Sequence, residues 1–140
     1  MIATANIPVG ASARRTAEVT RESTVAHFLS LMPAVYGTPM MICLMEEAAR
    51  EAIQKYLPEG WVSVGTTINV KHLAATPVGF KVTARAEVVL VRDNLVTFLV
   101  EAHDGIEKIG EGIQVRAAIE VRRFEQRIRL KAKRAQDGSL

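Results

Sequence analysis

Cysteine and histidine are scarce in this sequence. Cys43 is the single cysteine, and three histidines are present among 140 residues. One cysteine cannot form a disulfide within the chain, and so few Cys and His side chains do not suggest a structural zinc site. This composition fits a reducing compartment, and we expect a cytoplasmic protein.

Long hydrophobic runs are also missing. The longest uncharged apolar run, 39–45, is far shorter than the roughly 20 residues that a membrane span requires. Residues 1–10 contain no basic flank followed by a long apolar stretch, which a secretory signal would need. The sequence therefore predicts neither export nor a membrane partner.

Neither sign of charge dominates. The chain carries 18 Lys and Arg against 15 Asp and Glu, a net charge of +3 that is too small to be typical of a nucleic-acid-binding protein. We therefore expect no nucleic-acid partner. A basic helix or tail is predicted at about 124–140, either as a solvated face or as a surface that attracts phosphates. The clustered cations are Arg122, Arg123, Arg127, Arg129, Lys131, Lys133 and Arg134.

The motifs of several large enzyme classes do not occur. The sequence has no Gly-rich loop followed by Lys-Ser/Thr, no His-Glu-x-x-His pair and no Gly-x-Ser-x-Gly elbow. No metal site or cofactor is expected. The hydrophobic fraction of 49% and the charged fraction of 24% are those of a globular chain, and we predict a single domain over 1–140.

One long helix is predicted to begin at Thr38-Pro39 and to end at Pro58-Glu59-Gly60. A threonine can cap the free backbone N–H groups of a helix start, and proline suits the first turn. Segment 40–45 is apolar on every side, so it must be enclosed, most naturally by a sheet. Apolar residues recur at helical spacing at Met41, Leu44, Met45, Ala48, Ala52 and Tyr56.

After the helix the hydrophobic period becomes two, which predicts strands. Four strands, at about 62–72, 80–92, 95–102 and 109–121, are expected to form an antiparallel meander. A weaker strand at 15–21 and a short helix or lid at 27–35 precede the long helix. A helix on the concave face of a curved antiparallel sheet is an α+β arrangement, the hotdog fold. Because the sheet edges are long for so small a fold, edge-to-edge pairing in a homodimer is expected.

Two adjacent glutamates are predicted to have different surroundings. On a helix, Glu46 shares a face with apolar Ile42 and Ala49, whereas Glu47 falls among charged and polar residues. A carboxylate among apolar groups can serve as a base or a nucleophile. The alternative is a structural ion pair between Glu46 and an arginine, with Arg85 and Arg116 as candidates.

His72 is the second candidate for chemistry. By strand alternation it lies on the face of Val64, Ile68 and Val70, which points toward the helix. Such a histidine is either a hydrogen-bonded core residue or a group that orients a nucleophile. Thr38 is predicted to cap the helix, and its position also places it beside backbone N–H groups that could stabilise an oxyanion. Cys43 is interpreted as inert core.

Several segments together resemble the fluoroacetyl-CoA thioesterase family of hotdog proteins, over about 25–124. They are Tyr36-Gly37-Thr38, Leu44-Met45-Glu46, Gly65-Thr66, His72-Leu73-Ala74-Ala75-Thr76-Pro77, Ala102-His103-Asp104-Gly105 and Ile109-Gly110. The resemblance implies that Thr38, Glu46 and His72 form the catalytic set, with coenzyme A present only as part of the substrate.

The same resemblance implies that Gly65 shapes the acyl pocket and that Arg116 lies near the site. We also expect Met32 and Tyr36 to bind the substrate, together with Gly65 and Arg116. The fluoroacetyl-specific enzyme has phenylalanines before the helix, whereas this chain has Leu-Ser-Leu-Met-Pro at 29–33. We therefore expect another short or medium acyl group rather than a preference for fluorine.

Hydrolysis of an acyl-CoA thioester is the leading hypothesis for the reaction. A hydratase or dehydratase on the same fold is an alternative, because it also pairs a histidine with an acidic helix residue. A non-catalytic acyl-CoA binding protein is the third possibility, and the presence of Thr38, Glu46 and His72 argues against it. The spacing of eight residues between Thr38 and Glu46 corresponds to about 12 Å along a helix, which two short side chains cannot span. Either the helix begins later than Thr38 or, as we favour, each site combines Thr38 of one subunit with Glu46 of the other.

Overall fold

In the computed structural model, residues 2–138 are described, and they form five strands and three helices beside a short 3₁₀ turn at Arg21–Ser23. The strands are β1 Ser12–Glu18, β2 Trp61–His72, β3 Lys81–Arg92, β4 Leu95–His103 and β5 Lys108–Glu120. The helices are α1 Val25–Phe28, α2 Thr38–Gln54 and α3 Val121–Gln136. The predicted long helix and strands are thus confirmed with small shifts of their ends.

Helix α2 supplies much of the core. Its buried residues are Met41, Leu44, Met45, Ala48, Ala49, Ala52 and Ile53. They recur every three or four positions and form one cluster with sheet residues that include Val82, Val88 and Phe98. Cys43 lies on the exposed side of α2, so the interpretation of this residue as core is wrong.

The start of α2 differs from the prediction. Gly37 is the N-cap residue, Thr38 is the first helical residue, and no side chain caps the helix. Thr38 is therefore not the cap, because its hydroxyl is engaged elsewhere, as described below. Backbone bonds instead hold this end: Gly37 N–H donates to Ser23 O at 2.9 Å, and Tyr36 N–H donates to Thr76 O at 2.8 Å.

The five strands form one antiparallel sheet in the order β1-β3-β4-β5-β2. Strands β3, β4 and β5 form the predicted meander, but β2 pairs with β5 rather than with β3. The prediction of a four-strand meander is wrong at this point because the chain crosses from one edge of the sheet toward the other between β2 and β3. It emerges beside the end of β1, where Val19 N–H donates to Phe80 O and Gly79 N–H donates to Val19 O.

A bulge in β2 changes which residues face the helix. Gly65 pairs with Arg116 and Thr67 pairs with Val115, so Thr66 is an extra residue in the strand. Alternation therefore switches at Thr66, since each residue of a strand faces opposite to the next. The prediction that His72 faces the helix side holds, but grouping it with Val64 is wrong.

Two segments of the described chain, the stretch 29–33 and helix α3, lie at the surface. The segment 29–33 after α1 is exposed, with Met32 at 42% and Leu31 at 91% exposure. The basic stretch predicted at 124–140, either as a helix or as a tail, forms a helix. Helix α3 begins three residues before that stretch and has no buried residue. Residues 139–140 of that stretch lie outside the described residues. Within 2–138 no helix is long and apolar enough to cross a membrane.

Candidate active site

Thr38 and His72 are brought together from distant parts of the chain. Thr38 begins α2, His72 ends β2, and Thr38 Oγ1 lies 2.7 Å from His72 Nδ1. With the ring neutral and protonated on Nε2, the hydroxyl donates to Nδ1, which is the arrangement that activates a hydroxyl or orients it. His72 Nε2 is buried and has no hydrogen-bond partner among the described residues.

Burial controls the charge of His72. It lowers the pKa of the imidazole from its ordinary 6.5 because the cation loses solvation, and the nearby Ala74 backbone opposes this with a smaller effect. The neutral ring is thereby favoured near pH 7. A neutral imidazole can accept the Thr38 proton, as a general base must.

An open cavity of about 380 Å³ lies over this pair. Its walls come from α1, the segment before α2 and the chain that follows β2. The lining residues are Val25, Val35, Tyr36, Thr38, His72, Leu73, Ala74 and Ala75. The cavity is therefore mostly apolar, with a hydroxyl and an imidazole as the groups able to do chemistry.

Tyr36 contributes a wall of that cavity and no acid–base chemistry. Its hydroxyl donates to Met40 O at 3.2 Å, and the residue is 3% exposed. Burial, together with the charges of Cys43 and Glu47, raises the pKa of the phenol to about 12. Met32, the other predicted substrate contact before α2, does not line this cavity.

Glu46 lies in a second polar group on the same helix. Its Oε2 is 3.4 Å from Arg116 Nη1, and Arg116 in turn donates from Nε to Ser63 Oγ at 2.8 Å and from Nη2 to Ser63 O at 2.9 Å. Arg116 is 5% exposed. Burial lowers the pKa of this guanidinium, and the Glu46 carboxylate acts against that effect. Arg116 is thus held in place by Ser63 and presented to the carboxylate.

Gly65 allows the Glu46 carboxylate to approach the sheet. A Cβ at position 65 would lie 2.6 Å from Glu46 Oε2. Such a contact is too short, so any other residue would displace the carboxylate or the strand. Gly65 also stands next to the Thr66 bulge, where β2 changes its alternation.

The prediction that Glu46 lies among apolar groups, unlike Glu47, is wrong. Their side chains are 35% and 34% exposed, and each faces an arginine: Arg116 for Glu46 and Arg15 for Glu47, the latter at 3.7 Å. The predicted structural alternative, an ion pair with Arg116, is the one observed. Arg85 pairs instead with Glu87 at 2.7 Å.

The structure brings the predicted residues together as two groups rather than one. Thr38, His72 and Tyr36 share the cavity, whereas Glu46, Gly65 and Arg116 meet farther along α2. Eight helical residues separate Thr38 from Glu46, or about 12 Å along the axis. Sequence reasoning missed Ser63 because simple alternation places it on the solvent side of β2. The bulge could have been suspected only from the weak signal of a glycine inside a strand.

A curved antiparallel sheet with one long helix packed on it places the chain among the hotdog proteins of the thioesterase superfamily. A solved structure of the fluoroacetyl-CoA thioesterase matches with a TM-score of 0.84 at 37% identity, covering 89% of this chain and 96% of that one. A hypothetical Thermus thermophilus protein described as a thioesterase superfamily member matches with a TM-score of 0.87 at 30% identity, covering 94% and 97%. The predicted α+β hotdog fold is confirmed.

The family follows from sequence comparison. A family model described as fluoroacetyl-CoA-specific thioesterase matches residues 19–122. The fluoroacetyl-CoA thioesterase of Streptantibioticus cattleyicolor is 42% identical over 99 residues, which are 71% of each chain. This chain therefore belongs to the fluoroacetyl-CoA-specific thioesterase family and is a thioester hydrolase.

Proposed function

We propose that this enzyme hydrolyses an acyl-CoA thioester to a free acid and coenzyme A with Thr38, His72 and Glu46. Family membership and the 42% identical relative support the reaction. The observation that carries the site is the 2.7 Å hydrogen bond between Thr38 and His72 inside a cavity of about 380 Å³.

Two assignments of catalytic roles to these residues fit this geometry. In one, Thr38 attacks the thioester carbonyl while His72 accepts the hydroxyl proton and later protonates the departing thiolate. In the other, Glu46 acts as general base for water or as nucleophile, and Thr38 with the N-terminal end of α2 stabilises the developing oxyanion. In both, water supplies the oxygen of the product acid and coenzyme A leaves as the thiol.

We also propose that the working unit is a homodimer with shared sites. The distance of about 12 Å along α2 prevents Thr38 and Glu46 of one chain from meeting at a single thioester. Strand β2 is an edge of the sheet and exposes Ile68 at 44%, so it offers both backbone groups and apolar surface to a second copy. We propose that pairing there brings Glu46 of the partner subunit near His72, whose Nε2 has no hydrogen-bond partner within residues 2–138.

The remaining parts of the proposal concern substrate and setting. We propose a short or medium acyl group, because segment 29–33 carries no aromatic side chain. No cofactor is required beyond the coenzyme A of the substrate, and the single cysteine suits the reducing cytoplasm. The α3 cations are proposed to be solvated or to contact coenzyme A phosphates rather than nucleic acid.

Release of free thiol from acyl-CoA esters of graded length, with acetyl-CoA and fluoroacetyl-CoA included, tests the function. We expect turnover of short or medium esters without a special preference for fluoroacetyl-CoA. Loss of an enoyl double bond without thiol release would instead support a hydratase, and binding without any turnover would support an acyl-CoA binding protein. A tight, salt-dependent complex with generic DNA or RNA would contradict the absence of a nucleic-acid partner.

A further inference from the structure

Both walls of the cavity over Thr38 and His72 are connected to one buried threonine. Thr76 is fully buried and follows the cavity-lining residues 73–75 by one position. Its carbonyl oxygen accepts the Tyr36 N–H at 2.8 Å, two residues before Thr38. Residues 35 and 77 also form an isolated antiparallel bridge. The chain that follows His72 and the chain that leads into α2 therefore meet at Thr76.

Thr76 is itself held by Asp104, in the turn between β4 and β5. The Thr76 hydroxyl donates to Asp104 Oδ2 at 2.8 Å, and Asp104 Oδ1 accepts the N–H groups of Ile106 and Glu107, each at 3.0 Å. Asp104 is 6% exposed. Every carboxylate oxygen thus has a donor, as a buried charge requires.

The hydrogen bonds keep Asp104 ionised. Burial acts to raise the pKa of this carboxyl group, but the bonds from the backbone of Glu107 and Ile106 and from Thr76 outweigh it, so the pKa is lowered from 3.8. A buried carboxylate accepts these bonds more strongly than a neutral group would. The link from Asp104 to Thr76 is therefore firm at neutral pH.

We propose that Asp104 is a positioning residue that acts through Thr76 to hold Thr38 and His72 at hydrogen-bond distance. The inference rests on the proposed function, since it assumes that these two residues perform the chemistry. Asp104 holds Thr76, and Thr76 joins the chain carrying His72 to the chain carrying Thr38. A displacement of about 1 Å at reacting groups can lower the rate about a hundredfold, so loss of this link should slow the reaction.

The sharpest test is Thr76→Val, which keeps the shape of the side chain and removes the hydroxyl donor. We expect kcat to fall by about tenfold to a hundredfold while KM changes less than threefold, because binding surfaces remain. We also expect the His72 imidazole, followed by NMR, to titrate closer to 6.5 as its wall loosens and water enters. Thr76→Ser, which restores the donor, should recover both properties.

Thr4→Val is the matched control for a loss of stability alone. Thr4 is 2% exposed and its hydroxyl donates to the Asp93 backbone carbonyl in the turn between β3 and β4, at the opposite end of β4. Thr4→Val should lower the unfolding temperature without changing the His72 titration or kcat.

Asp104→Asn is the substitute test if Thr76→Val does not fold, because the amide retains the size of the side chain and part of its hydrogen bonding. As with Thr76→Val, kcat should fall and His72 should titrate closer to 6.5.

Unchanged kcat and unchanged His72 titration in folded Thr76→Val, with His72→Ala inactive, would overturn the positioning role while leaving the proposed site intact. The same changes in Thr4→Val would also overturn it. Full thiol release by both Thr38→Ala and His72→Ala would instead refute the proposed site. The two failures are therefore distinguishable.

Discussion

Helix α2 carries two polar groups that differ in character. At its first residue, Thr38 meets a mostly neutral imidazole beside an open cavity. Two turns later, Glu46 meets the buried guanidinium of Arg116 against a glycine in the sheet. The first group has a hydroxyl and an imidazole whose Nε2 has no hydrogen-bond partner among the described residues, and the second has a carboxyl group beside a guanidinium that is already hydrogen-bonded to Ser63.

The difference supports the proposal that each group is completed by a second copy of the chain. Among residues 2–138 no carboxylate accepts a hydrogen bond from His72 Nε2, and Glu46 does not line the cavity that contains Thr38. Two copies related by twofold symmetry could supply each other with the missing half, because a symmetric interface repeats every contact. The experiments below remove one half at a time.

The largest effect is expected from Glu46→Gln. This change keeps the volume and removes the negative charge, so thiol release should fall by about a hundredfold to ten-thousandfold if Glu46 is the base. Glu47→Gln is a closely matched control, since the neighbouring side chain is equally exposed and also faces an arginine. Equal activity of both variants and wild type would contradict a catalytic Glu46.

Mixing Thr38→Ala with Glu46→Gln under subunit exchange should restore activity. In a random mixture about half of the dimers are mixed, and each has one intact shared site, so about a quarter of wild-type thiol release is expected. Native mass spectrometry would verify the mixed dimers. No recovery, with mixed dimers present and both parents inactive, would exclude a site shared between subunits.

A smaller loss, of about tenfold to a hundredfold, is expected for Gly65→Ala because the new Cβ displaces the Glu46 carboxylate. The measure is kcat/KM for thiol release. The effect should be much smaller when Glu46 is already alanine, since the carboxylate that clashes is gone. An equal loss in both backgrounds would show that Gly65 matters to β2 itself.

The smallest effect concerns pH and follows from His72. Its pKa is lowered in the folded protein, so between that value and 6.5 the unfolded chain binds more protons than the folded one. The free energy of unfolding should therefore fall as pH drops from 6.5 through the folded pKa. Calorimetry over this window should show a weaker decline for His72→Gln than for wild type. An identical decline would indicate that His72 is not protected from protonation.

Much of the architecture could be predicted because it depends on local patterns. The period of 3.6 in α2 and the period of two in the strands are properties of neighbouring residues, and burial of their apolar faces decides the elements. The pairing of β2 with β5 instead depends on the path of residues 73–80 across the sheet. No local pattern contains that information, so the predicted meander was wrong there.

The candidate site, like the fold, could be predicted only in part from local sequence patterns. The closeness of Thr38 and His72 was expected only from the family resemblance, since a cap was the simplest local explanation of the threonine. The surroundings of Glu46 were predicted from its own helix alone, yet Arg116 approaches it from the sheet. Helical spacing indicates which residues share a face of α2. It does not indicate which residues of the sheet pack against that face.

The extra residue in β2 has a consequence for how this sequence can change in length. Gly65 lies before Thr66 and His72 lies after it, and both positions face the helix although seven positions separate them, because the bulge takes up one residue. Deleting Thr66 would leave six positions between them in a regular strand, so both would still face the helix in the same register with β5. Loss of the Thr66 codon should therefore disturb the sheet less than loss of a codon within the regular part of β4, where every strand residue beyond the deletion would turn to the other face.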